Sequence, residues 1–170
     1  MQIFGVAAPR VLSEYPAETF GSPALAFADV LTDAMFACSA HSLDRLLARH
    51  QTVYAYEFDD PEAVSNLPRL PGLIPPRAYH AAEIAYVLQA PWALADPAWF
   101  SPAQRRLSDR MQGYWTALAR SGDPNREDAE PWPAFHGEGE MVLSLNPARI
   151  APADGFAARH KCAFWAQLGF

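Results

Sequence analysis

One histidine in this sequence stands where an acid–base group is useful. His80 follows a long proline-rich loop and opens a short apolar run, HAAEIAYV, with the carboxylate of Glu83 three residues on. Upstream, Val53–Phe58 reads VYAYEF, mostly β-branched or aromatic, as a strand covered on both faces does. Asp59, Asp60 and Pro61 stop that strand. The loop that follows runs roughly 20 residues, a length that marks function or disorder. Pro61, Pro68, Pro71, Pro75 and Pro76 restrict its backbone. An imidazole delivered by a stiff loop off a buried strand can take up and return a proton near neutral pH. Position alone leaves two readings of His80 open: a proton shuttle, or a loop histidine without a special role. Glu83 likewise reads as a helper on the same helical face or as a helix-start carboxylate facing the dipole. As metal ligands the two are too few, with no third His or Cys nearby in sequence. No cofactor motif is present. Cys38 and Cys162 read as two buried thiols or as one disulfide, and their spacing decides neither.

The elements that must position these residues are legible in part. Residues 1–21, with Pro9 and Pro16, read as loop or a short helix end. Ser22-Pro23 predicts a helix start, the hydroxyl capping and the proline at the first helical position. Leu25, Ala28, Leu31, Met35 and Phe36 follow a loose helical period, and a second helix is expected through Leu43, Leu46 and Leu47 to near His50. Ser101-Pro102 repeats the start signal. Leu107, Met111, Tyr114, Trp115 and Leu118 then form an apolar helix face ending at Gly122. Met141–Leu145 predicts a short strand. A last helix is expected from about Phe156, with Phe164, Trp165 and Leu168 on its apolar face. Trp92 and Trp99 lie between prolines and either line a pocket or cover the core. No repeat or internal boundary stands out, so residues 1–170 read as a single domain.

Composition excludes several classes. A hydrophobic fraction of 51% and an aromatic fraction of 12% indicate a packed core. The net charge of −6 and the lack of a basic stripe exclude an ordinary nucleic-acid binder. No apolar run approaches the length of a membrane span. The first residues, MQIFGVAAPRVLSEYP, lack the charged head and apolar stretch of a signal peptide. The expectation is a cytoplasmic chain, or a secreted one if an upstream segment carries the signal.

Several motifs together resemble one family. VYAYEF followed by AYHAAE is similar to the histidine region of the type B carboxylesterases and cholinesterases, where a Y-x-Y-x-F strand precedes G-A-x-H-x-x-E. TDAMFAC resembles the family's D-x-x-F-x-C. SDRMQGYWTALARSGDPN resembles its M-x-x-Y-W-x-x-F-A-x-x-G-x-P-N helix and turn, with Leu118 in place of the phenylalanine. WPAF resembles its W-P-x-Y, and CAFW its C-x-F-W. The motifs keep the family's order over nearly the whole chain but match only the family's C-terminal third. One departure is Arg77, which stands where the family has glycine.

The resemblance implies an α/β class: the C-terminal part of an α/β-hydrolase, with few strands, several packed helices and an incomplete sheet. It implies carboxylic-ester hydrolysis by a serine, acid and histidine triad, with His80 as general base and acid and Glu83 as the motif glutamate rather than the triad acid. It also implies a Cys38–Cys162 disulfide. Bringing those cysteines together would draw Asp33 and Arg159 near each other as an ion pair. The sequence contains no G-x-S-x-G segment for the nucleophile and no glycine-rich oxyanion segment, so these residues alone are expected to be inactive. The partners implied are a small-molecule ester in the complete enzyme, and either a complementary N-terminal fragment or a second copy of the chain. The rival reading is a non-catalytic interaction module, or a remnant derived from the esterase fold.

Overall fold

The computed structural model describes residues 2–67, 77–136 and 140–170. Four of the five loop prolines, Pro68, Pro71, Pro75 and Pro76, lie outside the described residues. The described residues cluster into two compact units, one built from residues 2–51 and 155–170, the other from residues 52–67, 77–136 and 140–154.

The first unit is helical. After a 3-10 stretch, α1 spans Ala8–Glu14. Pro9 does not prevent it, because the first turn needs no donor at that position. The Ser22 hydroxyl accepts from Leu25 N (3.2 Å) and starts α2, Pro23–Leu31. A π-helical turn, Thr32–Ala37, joins α2 to α3, Cys38–Leu47. The buried stripe of this run is Ala26, Val30, Asp33, Ala34, Ala37, Cys38 and His41. That corrects the expected face: Met35, Phe36, Leu43, Leu46 and Leu47 are exposed. The run Pro23–Leu47 has 25 residues and a mean hydropathy of 1.2 in its best window, long and apolar enough to cross a membrane. The run remains a weakly apolar helix, and its buried stripe carries the hydrogen-bonded Asp33, so it makes no convincing span.

The expected last helix is two, α6 at Phe156–Arg159 and α7 at Cys162–Leu168. Lys161, with φ +53°, breaks them apart. Trp165 is fully buried among Phe4, Val11, Tyr15, Val30 and Ala34.

The second unit holds a three-stranded sheet in the order β1-β2-β3. The strands are β1, Tyr56–Phe58, β2, Val142–Asn146, and β3, Arg149–Ala153. β1 runs parallel to β2, with Tyr56 opposite Leu143. β2 and β3 form an antiparallel hairpin. The expected strand Val53–Phe58 is shorter as a regular strand, but its bonding begins earlier: Val53 O accepts from Phe135 N (2.7 Å) and Ala55 O from Leu143 N (2.9 Å). Of its two faces, Val53 and Ala55 are buried while Tyr56 is exposed. The sequence reading missed β3. RIAPA does not alternate, and Pro152 argues against a central strand.

Two helices pack on this sheet: α4, Ile84–Leu88, and α5, Pro102–Ser121. The start of α5 is a capping box between Ser101 and Gln104, and Gly122 closes it with φ +76°. Leu107, Met111 and Tyr114 face the core as their spacing predicts, while Leu118 is 37% exposed. Trp92 packs against this core and Trp99 lies exposed.

Two predictions arise here. A Cβ on Gly113 would collide with the guanidinium of Arg126. That group is the far end of a flexible chain paired with exposed Asp128 (2.9 Å). Alanine gains about 1 kcal/mol of helix propensity, against about 0–1 kcal/mol for the exposed pair. Gly113→Ala is expected to leave urea stability unchanged or slightly raised, and a loss above about 1 kcal/mol would show that Arg126 has no room to swing aside.

The second concerns Tyr114, whose hydroxyl donates to Glu130 O (2.7 Å). Burial first, then the Glu130 charge, pushes its phenol up to about 12. An unfolded tyrosine ionises near 10, so between those values the folded chain holds the extra proton. Its contribution is full below about pH 10 and is lost as pH rises toward 12. Tyr114→Phe is expected to flatten the fall of the urea midpoint across that window; an unchanged slope would contradict this.

Candidate active site

His80 is exposed, in a run of turns between the loop and α4. Ala82 N donates to Tyr79 O (2.9 Å) and Ile84 N to Ala81 O (3.2 Å), so the backbone winds tightly around it. Two non-glycine residues flank it in the left-handed region, Arg77 at φ +46° and Ala81 at φ +71°. Such positions cost free energy and persist where surrounding structure enforces them. Arg77, the departure from the resembled pattern, thus keeps a backbone conformation that glycine adopts without strain.

Glu83 is half-buried at the start of α4. The Tyr56 ring packs edge-on against Trp115 although the residue is 39% exposed, and this partial burial, then the Glu83 charge, raises its phenol. Burial also raises Tyr79, and Glu83 adds to that after the opposing effect of Ser65. Glu83 thus lies near two phenols, one on β1 and one beside His80.

What holds the loop was invisible to sequence reading. Asp60, 1% exposed, accepts from Tyr86 OH, from Gln104 Nε2 (2.8 Å) and from Glu62 N (2.9 Å). Tyr79 OH donates to Val64 O (3.0 Å). Asn66 N donates to Leu94 O (2.8 Å), and its side-chain amide to Ala93 O. The sequence signal was faint: Asp60 looked like a strand stop, and Tyr86 like one more apolar residue.

In the helical unit Cys38 and Cys162 are bonded, with Cα atoms 5.1 Å apart. Asp33 meets His160 Nδ1 (2.6 Å) and accepts from Tyr15 OH (2.7 Å). Trp165 Nε1 donates to the same Tyr15 oxygen (2.7 Å). The left-handed Lys161 follows His160, and the Arg159 guanidinium lies over the Phe156 ring.

Among the described residues no group of three or more His, Cys, Asp or Glu is placed to hold a metal ion. An open cleft of about 410 Å³ lies along β2 and β3, lined by Asp59, Ser144, Asn146 and Arg149 among others. His80 is not part of its lining.

Residues 7–165 match the carboxylesterase family. Human cocaine esterase is 32% identical over 141 residues, covering 82% of this chain and 24% of that protein. Mouse acylcarnitine hydrolase is 32% identical over 142 residues, covering 81% and 24%. Acetylcholinesterase of Bungarus fasciatus is 34% identical over 119 residues, covering 69% and 18%. The chain spans about a quarter or less of the length of these relatives. With a match across nearly its whole length, and with helices packed on an open three-stranded sheet as part of an α/β-hydrolase fold, the chain belongs to the carboxylesterase family.

Proposed function

We propose that this chain contributes the proton-shuttling histidine of a serine ester hydrolase, and that His80 is that residue. The observation that carries the reading is the exposed His80 between two left-handed residues, in a loop tied back to α4 and α5, in a chain of this family. In the proposed reaction the imidazole takes the proton of a serine hydroxyl as it attacks an ester carbonyl, then returns it to the leaving alcohol. The serine, its partner acid and the oxyanion donors come from polypeptide other than these 170 residues, since no G-x-S-x-G segment occurs here. The substrate is a small carboxylic ester. Leu43, Leu46 and Leu47, each exposed on α3, support a surface that the remainder of such a fold covers.

The test is hydrolysis of an aryl ester by the chain alone and after mixing with a polypeptide carrying the preceding part of a family member. The chain alone is expected to match the buffer rate, and the mixture to exceed it. Turnover by the chain alone would overturn the assignment of the nucleophile to another polypeptide. No turnover in a mixture shown to form a complex would favour a non-catalytic interaction module.

A further inference from the structure

Among the described residues, hydrogen bonds stitch the outgoing arm of the loop carrying His80 to later segments, three of them as follows. Asp60 is bonded to Tyr86, Val64 to Tyr79, and Asn66 to Ala93 and Leu94. Two of the three stitches reach residues that bracket His80. The Asp60 stitch differs from the others because it buries a carboxylate. Removing a charge from water is costly unless its acceptor sites are filled. Here one oxygen takes Glu62 N, and the other takes both Tyr86 OH and Gln104 Nε2.

The donors are themselves fixed. Gln104 spends its Oε1 on Ser101 N (2.9 Å) in the capping box of α5, so its amide nitrogen must face Asp60. The same nitrogen also donates to Glu62 O (2.9 Å). Tyr86 is fully buried, its ring against Phe100 (4.2 Å) and Phe58 (4.9 Å). Ser108 Oγ donates to Tyr86 O (2.7 Å), which ties the same residue to α5 by its backbone. An apolar residue at position 60 would bury as well but would not select one geometry. A carboxylate with three donors at fixed angles does.

We propose that Asp60 is the positioning residue of His80, holding residues 60–67, the turn at 77–83 and the start of α4 in one arrangement through Tyr86 and Gln104. The proposal rests on the reading of His80 as the acid–base group. It gives a chemical reason for a buried charge at the foot of the loop. It also identifies what holds the turn at His80 with left-handed residues on both sides.

The test uses the chain itself, with amide hydrogen exchange and the His80 ring resonances as readouts. Tyr86→Phe keeps the aromatic packing and removes one donor, and Asp60→Asn removes the charge and keeps one acceptor. In both, exchange of residues 79–83 is expected to rise about tenfold or more relative to β2 and α5, the size of one lost charge-assisted hydrogen bond. The His80 ring signal is expected to shift and broaden, while those of His41 and His160 in the helical unit stay put. Should Asp60→Asn not fold, Tyr86→Phe decides alone. Unchanged exchange at 79–83, or an equal rise across β2 and α5, would overturn the proposal, the second by showing a purely structural role. Neither readout involves turnover, so a failed esterase reconstitution and a failed positioning role are distinguishable.

Discussion

Removing the Cys38–Cys162 bond is expected to cost about 5 kcal/mol of stability, the largest single effect in this chain. The two cysteines are 124 residues apart, and every residue of the sheet-containing unit lies between them. Cross-linking so long a segment removes a large part of the unfolded chain's freedom, and the chain-entropy relation gives that value at 25 °C. Noncovalent contacts also anchor α7. Trp165 and Tyr15 bond each other, Tyr15 and His160 bond Asp33, and Lys161 Nζ reaches Glu14 Oε1 (3.0 Å). These contacts survive reduction, so the helical unit is expected to fold when reduced but to unfold far more easily. Urea unfolding of the oxidised chain and of Cys38→Ala/Cys162→Ala measures the difference. At a slope of about 2 kcal/mol per molar, the midpoint should fall by about 2–3 M. A fall below about 0.5 M would mean that the noncovalent network already restrains the unfolded chain as strongly as the bond does.

The largest functional effect is expected at His80. In the reconstituted esterase, His80→Ala should lower kcat by about 10⁴- to 10⁶-fold, because a triad that has lost its base retains only binding and oxyanion stabilisation. Stability should hardly change, by about 0.5 kcal/mol or less, since the His80 side chain is exposed. That contrast separates a catalytic role from a structural one. Cys38→Ala/Cys162→Ala is the opposite case: it should lower stability without removing any reacting group.

The ends of helices were readable because caps act locally. Ser22, Ser101 and Gly122 each satisfy backbone groups within four residues of themselves. The buried face of the Pro23–Leu47 run was not readable. Period alone favoured its large apolar residues, yet Ala26, Ala34 and Ala37 face inward. Small side chains let neighbouring elements approach closely, which no count of hydrophobic residues shows. Asp33 meets His160, the neighbour of the Arg159 that its charge suggested, a contact between residues 127 apart that no local pattern shows. β3 was hidden by Pro152 on a strand that, among the described residues, pairs only with β2. At the site, the proposed acid–base residue His80 was visible from its motif. Asp60, Tyr86 and Gln104 were not, since their link joins residues 26 and 44 apart in sequence.

The most direct measurement of the central claim is the initial rate of aryl-ester hydrolysis by the reconstituted complex, wild type against His80→Ala, at equal concentrations of assembled complex. The account predicts turnover in the wild type and a loss of about 10⁴-fold or more in the variant. A variant that retains the wild-type rate in an equally well-formed complex would contradict it.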